Sequence, residues 1–218
     1  MIARAVNWFG KWLTRRHAES YGRLDGKNIA VLMLSPQIDV FSSENSWSRH
    51  FAIKADQDSV KTFLDSARSR DWKTILAPLA WTEDAPTTAL SETGYFRLLR
   101  QNNLLKAGTA GAQLMTDMVS ETDIILPERA GLNAFYGTEL QATLIKHGIE
   151  RLVILGGVAN ADLDSTARMA VELDYDVTVA SDLVTAVSKS DLDNIMKVTL
   201  PRIVSRILTG DEILAAAS

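Results

Sequence analysis

The sequence predicts a three-layer α/β/α sandwich, in which helices cover both faces of a six-stranded, mostly parallel sheet. Two observations predict this fold class. Short apolar runs alternate about six times with segments whose apolar residues recur at helical spacing, which is typical of strand–helix–strand units. The apolar runs are also continuous rather than alternating, as expected for strands covered on both faces. A chain of 218 residues, 46% of them hydrophobic, can bury such a core as one domain.

Each predicted strand is a short apolar run bounded by polar residues or glycine. The predicted strands are residues 28–35, 74–81, 123–126, 151–155, 176–180 and 203–208. The predicted helices are residues 59–70, a segment near 94–99, and residues 138–147, 161–173 and 190–198. In the first helix, Val60, Phe63 and Leu64 fall on one face. Gly148 is expected to end the third helix. Together these elements predict a Rossmann-like sheet.

The first 24 residues differ from the rest in charge and in pattern. They hold five basic residues against Glu19 alone, a net charge of +4, whereas residues 25–218 hold 18 basic and 26 acidic residues, a net charge of −8. We therefore divide the chain into residues 1–24, an added N-terminal amphipathic helix and linker, and residues 25–218, the α/β domain. The helix is predicted at residues 2–16, and its apolar face consists of Ile2, Ala5, Val6, Trp8, Phe9, Trp12 and Leu13.

Two interpretations of residues 2–16 remain open. The segment packs on its own domain or on a partner subunit, or it contacts a membrane surface through its two tryptophans and its basic face. The sequence favours packing on protein, because most apolar helix faces do this. No apolar run approaches the about 20 residues that cross a membrane, and residues 1–24 lack the pattern of a signal peptide. We therefore expect a cytoplasmic protein.

Composition excludes several kinds of site. The chain has no cysteine, which excludes disulfides, thiolate zinc sites, iron–sulfur clusters and a cysteine nucleophile. Its three histidines, His17, His50 and His147, are far apart in the sequence, so we expect no metal and no cofactor. His50 is interpreted as a solvated loop residue. The net charge of −4 is too small to indicate a nucleic-acid partner.

Parallel α/β sheets bind their ligands at the carboxyl ends of the strands. The predicted pocket therefore consists of the segments that follow four strands: residues 35–39, 81–84, 128–133 and 156–162.

Five segments of the chain carry recognisable motifs. Residues 35–41 are SPQIDVF, 108–111 are GTAG, 133–140 are NAFYGTEL, 155–168 are LGGVANADLDSTAR and 209–214 are TGDEIL. In this order they resemble the isochorismatase-like hydrolases, also called the cysteine hydrolase superfamily, which includes nicotinamidases and N-carbamoyl amidohydrolases. The resemblance covers most of residues 28–218. It implies the α/β fold predicted above, hydrolase chemistry, and assembly as a homo-oligomer, a dimer or larger.

The hydrolases of this family use an Asp–Lys–Cys triad, in which the cysteine attacks an amide or carbamoyl carbon and the aspartate takes its proton. By motif position, the aspartate corresponds to Ser35, the lysine to Arg129 and the cysteine to Asp162. The Ser35 hydroxyl keeps its proton near neutral pH, and Arg129 cannot release one. A carboxylate at Asp162 is a far weaker nucleophile than a thiolate. We therefore expect no thiol amidohydrolase reaction.

We expect Asp162 to be ionised, because it lies at the start of a predicted helix, and to pair with Arg129 at less than about 6 Å. In the first hypothesis, the chain is a pseudoenzyme, a binding or structural subunit in which this pair fills the pocket or binds a small polar ligand. In the alternative, it is a hydrolase with cysteine-independent chemistry, in which Asp162 is the acid and Arg129 holds an anionic group. The family's isochorismatases proper use an aspartate acid, but at the position of Ser35.

The resemblance also implies an oxyanion hole. It predicts a cis peptide bond between Gly157 and Val158, with the N–H groups of Val158 and Asp162 as donors, and the alternative is a trans bond in a relaxed loop. The predicted substrate-binding residues are Gln37, Trp81, Asn133, Phe135, Gly157 and Val158.

Some of these residues have a structural alternative. Trp81 and Phe135 are equally consistent with plain packing, and Gln37 and Asp39 with hydrogen bonds that hold their loop. Nicotinamidase-type relatives bind a metal through Asp and His residues after the second strand. Residues 81–84 contain acids but no histidine, which supports the expectation of no metal.

Overall fold

The computed structural model describes residue 24 and residues 28–42, 51, 53–83 and 94–217. The strands are β1 (Ile29–Leu34), β2 (Lys73–Ala77), β3 (Ile124–Ile125), β4 (Arg151–Gly156), β5 (Asp176–Ala180) and β6 (Arg206–Leu208). The α-helices are α1 (Ile38–Phe41), α2 (Gln57–Arg68), α3 (Gly94–Gln101), α4 (Leu140–Lys146), α5 (Asp164–Glu172), α6 (Lys189–Asn194) and α7 (Gly210–Ala216). One π-helical turn (Ala159–Leu163) precedes α5 and another (Ile195–Thr199) follows α6, and 3₁₀ turns lie at Ala110–Ala112, Thr116–Met118 and Leu200–Arg202.

The six strands form one sheet in the order β3-β2-β1-β4-β5-β6, and the pairings between these strands are parallel. The predicted α/β fold with a six-stranded parallel sheet is therefore confirmed. β1 lies at the centre, where Val31 is paired with Thr74 of β2 and with Val153 of β4. The chain continues from β1 to β2 on one side and later adds β4 on the other. In sheets of this kind, ligands bind at the carboxyl ends of the strands beside such a switch point. Here those two strands lead directly into Ser35 and Gly157.

Two apolar layers cover the sheet. Helices α2, α3 and α7 pack on one face through residues such as Phe63, Leu99 and Ile213. Helices α4, α5 and α6 cover the other face, through residues such as Leu144 and Ala167. Every residue of β1 is buried, which explains why its sequence is a continuous apolar run rather than an alternating one.

Several predicted strands are shorter in the structure. β2 ends at Ala77 instead of residue 81, because Pro78 has no N–H to donate to a ladder. Beyond it, isolated parallel bridges join Leu79 to Arg129 and Trp81 to Lys106. The strands predicted at residues 123–126 and 203–208 are reduced to the two residues of β3 and the three of β6.

The helices also differ from prediction in detail. The helix predicted from residue 161 begins as a π-helical turn at Ala159, and the helix predicted at 190–198 becomes π-helical after Asn194. Helices α1 and α7 were not predicted. α7 begins with a capping box, in which Thr209 Oγ1 accepts the Glu212 N–H and the Glu212 carboxylate accepts the Thr209 N–H.

The amphipathic helix predicted at residues 2–16 lies outside the described residues, as does most of the segment 1–24. Leu24 is described, and its side chain is buried in the apolar layer that contains α2, α3 and α7. Among the residues that the structure describes, no helix combines the length and the apolar character needed to span a membrane.

Candidate functional site

Ser35 is the first residue after β1 and adopts a left-handed backbone conformation with a φ of +45°. This region is uncommon for residues other than glycine, so a serine here carries backbone strain. Its N–H donates to the Ala77 carbonyl at 3.1 Å, which holds the turn against the end of β2. The buried hydroxyl donates to Asp162 Oδ2 at 2.6 Å.

Asp162 lies in the π-helical turn after β4 and is only 2% exposed. Its Oδ1 accepts the Val158 N–H at 2.7 Å. Its Oδ2 accepts both the Ser35 hydroxyl and Nη2 of Arg129, the latter at 3.0 Å. Both oxygens of the carboxylate are therefore occupied, and the predicted pairing of Asp162 with Arg129 is confirmed. We refer to Ser35, Arg129 and Asp162 as the polar trio.

Arg129 reaches the polar trio from the segment that runs beside the end of β2. Its backbone N–H donates to the Pro78 carbonyl at 3.0 Å, and its own carbonyl accepts the Ala80 N–H at 2.9 Å. In the side chain, Nη1 donates to the Ala77 carbonyl, and Nη2 also donates to Ser35 Oγ at 3.2 Å. Nε is buried and has no hydrogen-bond partner among the described residues.

The polar trio contains a buried ion pair, since the side chains of Arg129 and Asp162 are 1% and 2% exposed. Burial lowers the pKa of the Arg129 guanidinium, and the negative charge of Asp162 opposes that effect. Because arginine ordinarily titrates above about pH 12, the guanidinium remains charged near neutral pH. The trio therefore holds an Arg–Asp pair out of contact with water.

The peptide bond between Gly157 and Val158 is trans, and no cis bond occurs among the described residues, so the predicted cis peptide is wrong. Positive φ angles of +75° at Gly156 and +66° at Gly157 turn the chain after β4 without one. The Val158 N–H, predicted as an oxyanion donor, instead donates to Asp162. The turn is thus shaped around the Asp162 carboxylate.

Tyr95 of α3 is a neighbour of the polar trio that sequence reasoning missed. Burial raises the pKa of its phenol, the negative charge of Asp162 raises it further, and Arg129 opposes the change. The phenol is therefore close enough to be influenced by both charges. The sequence carried no signal for this position, because residue 95 follows no strand and belongs to none of the recognised motifs.

Gln37 and Trp81 connect loops rather than joining the polar trio. Gln37 is fully buried, and its side-chain amide donates to the Leu79 carbonyl at 2.5 Å while accepting the Leu79 N–H at 3.2 Å. Trp81 is 5% exposed, its indole N–H donates to the Leu104 carbonyl at 2.6 Å, and the Lys106 ammonium lies 5.5 Å from its ring centre. These contacts correspond to the structural interpretation of both residues.

Asn133 and Phe135 attach their loop to α5. The Asn133 amide donates to the Ser165 carbonyl at 2.9 Å, and its Oδ1 accepts the Phe135 N–H at 2.9 Å. The Phe135 ring stacks on Tyr175, with 6.1 Å between ring centres. None of these contacts involves a residue of the polar trio.

Asp39 holds the loop after β1 by hydrogen bonding, as predicted. Its Oδ2 accepts the Leu105 N–H at 2.7 Å, and its carboxyl lies so close to Gly111 that a Cβ there would be 2.2 Å from Oδ1. Burial raises the pKa of Asp39, and the Leu105 N–H opposes this. Asp39 therefore fastens residues 105–111 to the end of β1.

The acidic side chain after β2 that is described, Glu83, forms an ion pair with Lys106 at 2.6 Å. Within the described ranges, no three metal-ligating side chains come together in a way that could hold a metal ion. His50 lies outside the described residues.

Sequence comparison relates this chain to one protein family. The model of the isochorismatase domain family matches residues 29–208. An uncharacterized isochorismatase family protein of Escherichia coli O157:H7, YecD, is 36% identical over 97 residues, which cover 44% of this chain and 50% of that protein. The chain therefore matches about half the length of this curated relative.

Solved structures share the fold at low sequence identity. A cysteine hydrolase from Pseudomonas syringae pv. phaseolicola 1448A has a TM-score of 0.72 at 20% identity, over 90% of this chain and 97% of that one. An N-carbamoylsarcosine amidase from Thermoplasma acidophilum has a TM-score of 0.62 at 18% identity, over 84% and 97%. These likenesses support the fold, and the domain match covers most of the sequence. The chain belongs to the isochorismatase family.

Proposed function

We propose that this chain is a non-hydrolytic member of the isochorismatase family, a pseudoenzyme that serves as a binding or structural subunit. By motif resemblance, Ser35, Arg129 and Asp162 stand where the family's hydrolases have aspartate, lysine and cysteine. No thiol is present in the chain to attack an amide carbon. The remaining question is whether the polar trio could support another reaction.

One observation carries the proposal: both oxygens of the buried Asp162 carboxylate already accept hydrogen bonds from within the protein. Val158 N–H donates to one oxygen, and the Ser35 hydroxyl and the Arg129 guanidinium donate to the other. A buried carboxylate bound by several donors would have to give up those hydrogen bonds in order to react with a substrate. Asp162 is therefore poorly placed to act as an acid, base or nucleophile, because each role would break hydrogen bonds that hold the turn and Arg129.

Ser35 does not supply the missing reactivity. Its hydroxyl donates to Asp162 at 2.6 Å, which is the arrangement of a nucleophile and its base. That base, however, is also bound by Arg129 at 3.0 Å, and the serine itself is only 2% exposed. The trio is better suited to joining the ends of β1 and β4 to the segment of Arg129 than to attacking a substrate.

A double-mutant cycle tests this structural role. Replacing either partner of a buried ion pair leaves an uncompensated charge, so Asp162→Leu and Arg129→Met should each destabilise the fold by about 3–5 kcal/mol. The double variant should lose clearly less than the sum, because no charge is then left unpaired. Urea unfolding of the four proteins measures the coupling.

An activity assay on the full chain provides the second arm of the test. Ammonia release from nicotinamide and N-carbamoylsarcosine should be no faster for the wild type than for Asp162→Leu. Turnover that Asp162→Leu abolishes, together with nearly unchanged stability of that variant, would contradict the proposal and favour the hydrolase with cysteine-independent chemistry.

That alternative is favoured by one specific observation. Arg129 Nε is a buried N–H donor without a partner among the described residues, which is the kind of group that holds a ligand oxygen. A thermal-shift screen of small amides, carboxylates and isochorismate-like acids tests it. A ligand that stabilises the wild type but not Arg129→Met would support a binding role, and turnover of that ligand would support the hydrolase.

Assembly as a homo-oligomer, which the family resemblance supports, and a cytoplasmic location belong to the same proposal. Light scattering of the purified full chain tests the first. A monomer at micromolar concentration would contradict it.

A further inference from the structure

A groove lies between α2 and α7, and no residue of the polar trio lines it. It has a volume of about 250 Å³. Residues from α2, from the loop after β5 and from the start of α7 surround it: Asp58, Ser59, Thr62, Phe63, Asp182, Leu183, Gly210, Asp211 and Leu214. The groove is therefore a feature separate from the polar trio.

The floor of the groove is apolar. Phe63 and Leu183 are buried beneath it, and a Cβ on Gly210 would lie 3.2–3.3 Å from both side chains. Gly210 therefore allows α7 to approach closely and leaves a shallow channel between α7 and α2. Leu214 lies partly exposed at its side.

The rim of the groove is acidic. Asp58 and Asp211 are exposed and have no ion-pair partner among the described residues, and Asp182 only accepts the Gly210 N–H at 2.8 Å. Three carboxylates around an apolar floor match a partner that is both apolar and basic.

Such a partner exists in the same chain. Residues 2–16 combine seven apolar residues on one predicted face with a basic opposite face, and residues 1–24 carry a net charge of +4. Leu24 is buried in the same apolar layer as Phe63 and Leu183, so the N-terminal segment joins the domain on this face of the sheet and not on the other.

The dimensions are compatible. A helix of 15 residues is about 22 Å long, close to the about 18 Å of the 12-residue α2. The connection from residue 16 to residue 24 spans up to about 26 Å when extended, which is longer than α2 itself. A segment tethered in this way is present at an effective concentration in the millimolar range.

We propose that residues 2–16 pack, within the same molecule, over the groove between α2 and α7, with their apolar face on the floor and their basic residues beside Asp58, Asp182 and Asp211. This goes beyond the proposed function, because it assigns a role to the N-terminal segment that is independent of the polar trio.

Cysteine cross-linking in the full chain tests the proposal without background, because the native sequence has no thiol. Thr62→Cys at the groove combined with Phe9→Cys should give an intramolecular cross-link with a short bismaleimide. The matched control combines Phe9→Cys with Glu172→Cys, an exposed position of α5 on the opposite face, and should not cross-link.

A charge-reversal experiment tests the complementarity. Asp58→Lys with Asp211→Lys should slow cross-linking on the order of fivefold, whereas Glu172→Lys should leave the rate unchanged. Thermal melts establish that the variants remain folded.

Three outcomes would overturn the proposal. The first is cross-linking at Thr62 only within dimers, which would place the segment on a second copy. The second is equal cross-linking at the groove and at the control position. The third is the lack of a Thr62 cross-link while the full chain sediments with phosphatidylserine vesicles, which would assign residues 2–16 to a membrane surface.

Discussion

The carboxylate of Asp162 occupies the space that a side chain on Gly157 would need: an ideal Cβ at Gly157 would lie 2.5 Å from Asp162 Oδ1. The two residues face each other across the turn after β4, where Gly157 adopts a φ of +66°. Glycine is therefore required at this position for two reasons: it adopts the backbone conformation without strain, and it leaves room for the Asp162 carboxylate.

Gly157→Ala should destabilise the fold more than a Gly→Ala substitution at a site where the positive φ is the only obstacle. The left-handed conformation costs an alanine about 1–2 kcal/mol, and displacement of Asp162 from its donors should add to this. Gly148→Ala is the matched control, because Gly148 has a φ of +63° and no atom within 4 Å of an added Cβ. Urea unfolding measures both variants. Equal losses at the two glycines would show that the contact with Asp162 contributes nothing.

Ser35 allows its hydrogen bond to be separated from its backbone strain. Ser35→Ala removes the hydroxyl that donates to Asp162, which should lower the free energy of unfolding by about 1.5–3 kcal/mol. Ser35→Gly removes the same hydroxyl but adopts the φ of +45° without strain, so it should be about 1 kcal/mol more stable than Ser35→Ala. If the alanine variant is as stable as the wild type, the hydrogen bond has no stabilising role.

Asp39 should make stability depend on pH in the opposite direction to a salt-bridged carboxylate. Burial raises its pKa above the ordinary 3.8, so the folded state holds this proton more tightly than the unfolded chain does. The contribution of the carboxyl to stability is therefore fully present below pH 3.8 and is lost as the pH rises through the raised pKa.

Comparison with Asp39→Asn isolates this contribution. The free energy of unfolding of the wild type minus that of the variant should fall between about pH 3 and neutral pH and then become constant. The other carboxylates cancel, because both proteins share them. A difference that increases with pH would mean that hydrogen bonding from Leu105, and not burial, dominates at Asp39.

Tyr95 should remain protonated where an ordinary tyrosine ionises. Its pKa is raised by burial and by the charge of Asp162, whereas a free phenol titrates near about pH 10. Ultraviolet absorbance at 295 nm should therefore show the same amount of tyrosinate at about pH 10.5 for folded wild type and folded Tyr95→Phe. In urea the variant should lose the signal of one of four tyrosines. A deficit already present in the folded variant would place Tyr95 in contact with water.

The sequence contained enough information for the sheet and for the polar trio. The strands of the centre are continuous apolar runs, and the motifs around Ser35, Arg129 and Asp162 have fixed positions relative to them. Opposite charges at two neighbouring positions then indicated the ion pair. Pro78 and the capping box at Thr209 were also visible, and they explain the shorter β2 and the helix α7 that were not predicted.

The path of the chain between the motifs could not be predicted. Gly156 and Gly157 permit more than one backbone course, and the sequence does not distinguish a cis bond from two positive φ angles. Whether Val158 N–H is free or bound depends on that course. Tyr95 approaches the trio only because of how α3 packs, which local sequence does not encode. The contacts of Asn133 and Phe135 could not be predicted for the same reason, since their partners on and near α5 are distant in sequence.

The polar trio also limits how the chain can change by successive substitutions. Exchanging Asp162 for an uncharged residue, including cysteine, leaves the buried Arg129 guanidinium without its partner. Exchanging Arg129 leaves the buried carboxylate without its partner. Each first step therefore passes through a destabilised protein, even when the final combination would be stable. The members of the polar trio are therefore expected to be replaced more readily together than singly, and a thiol introduced at position 162 alone would first lower the stability of the fold.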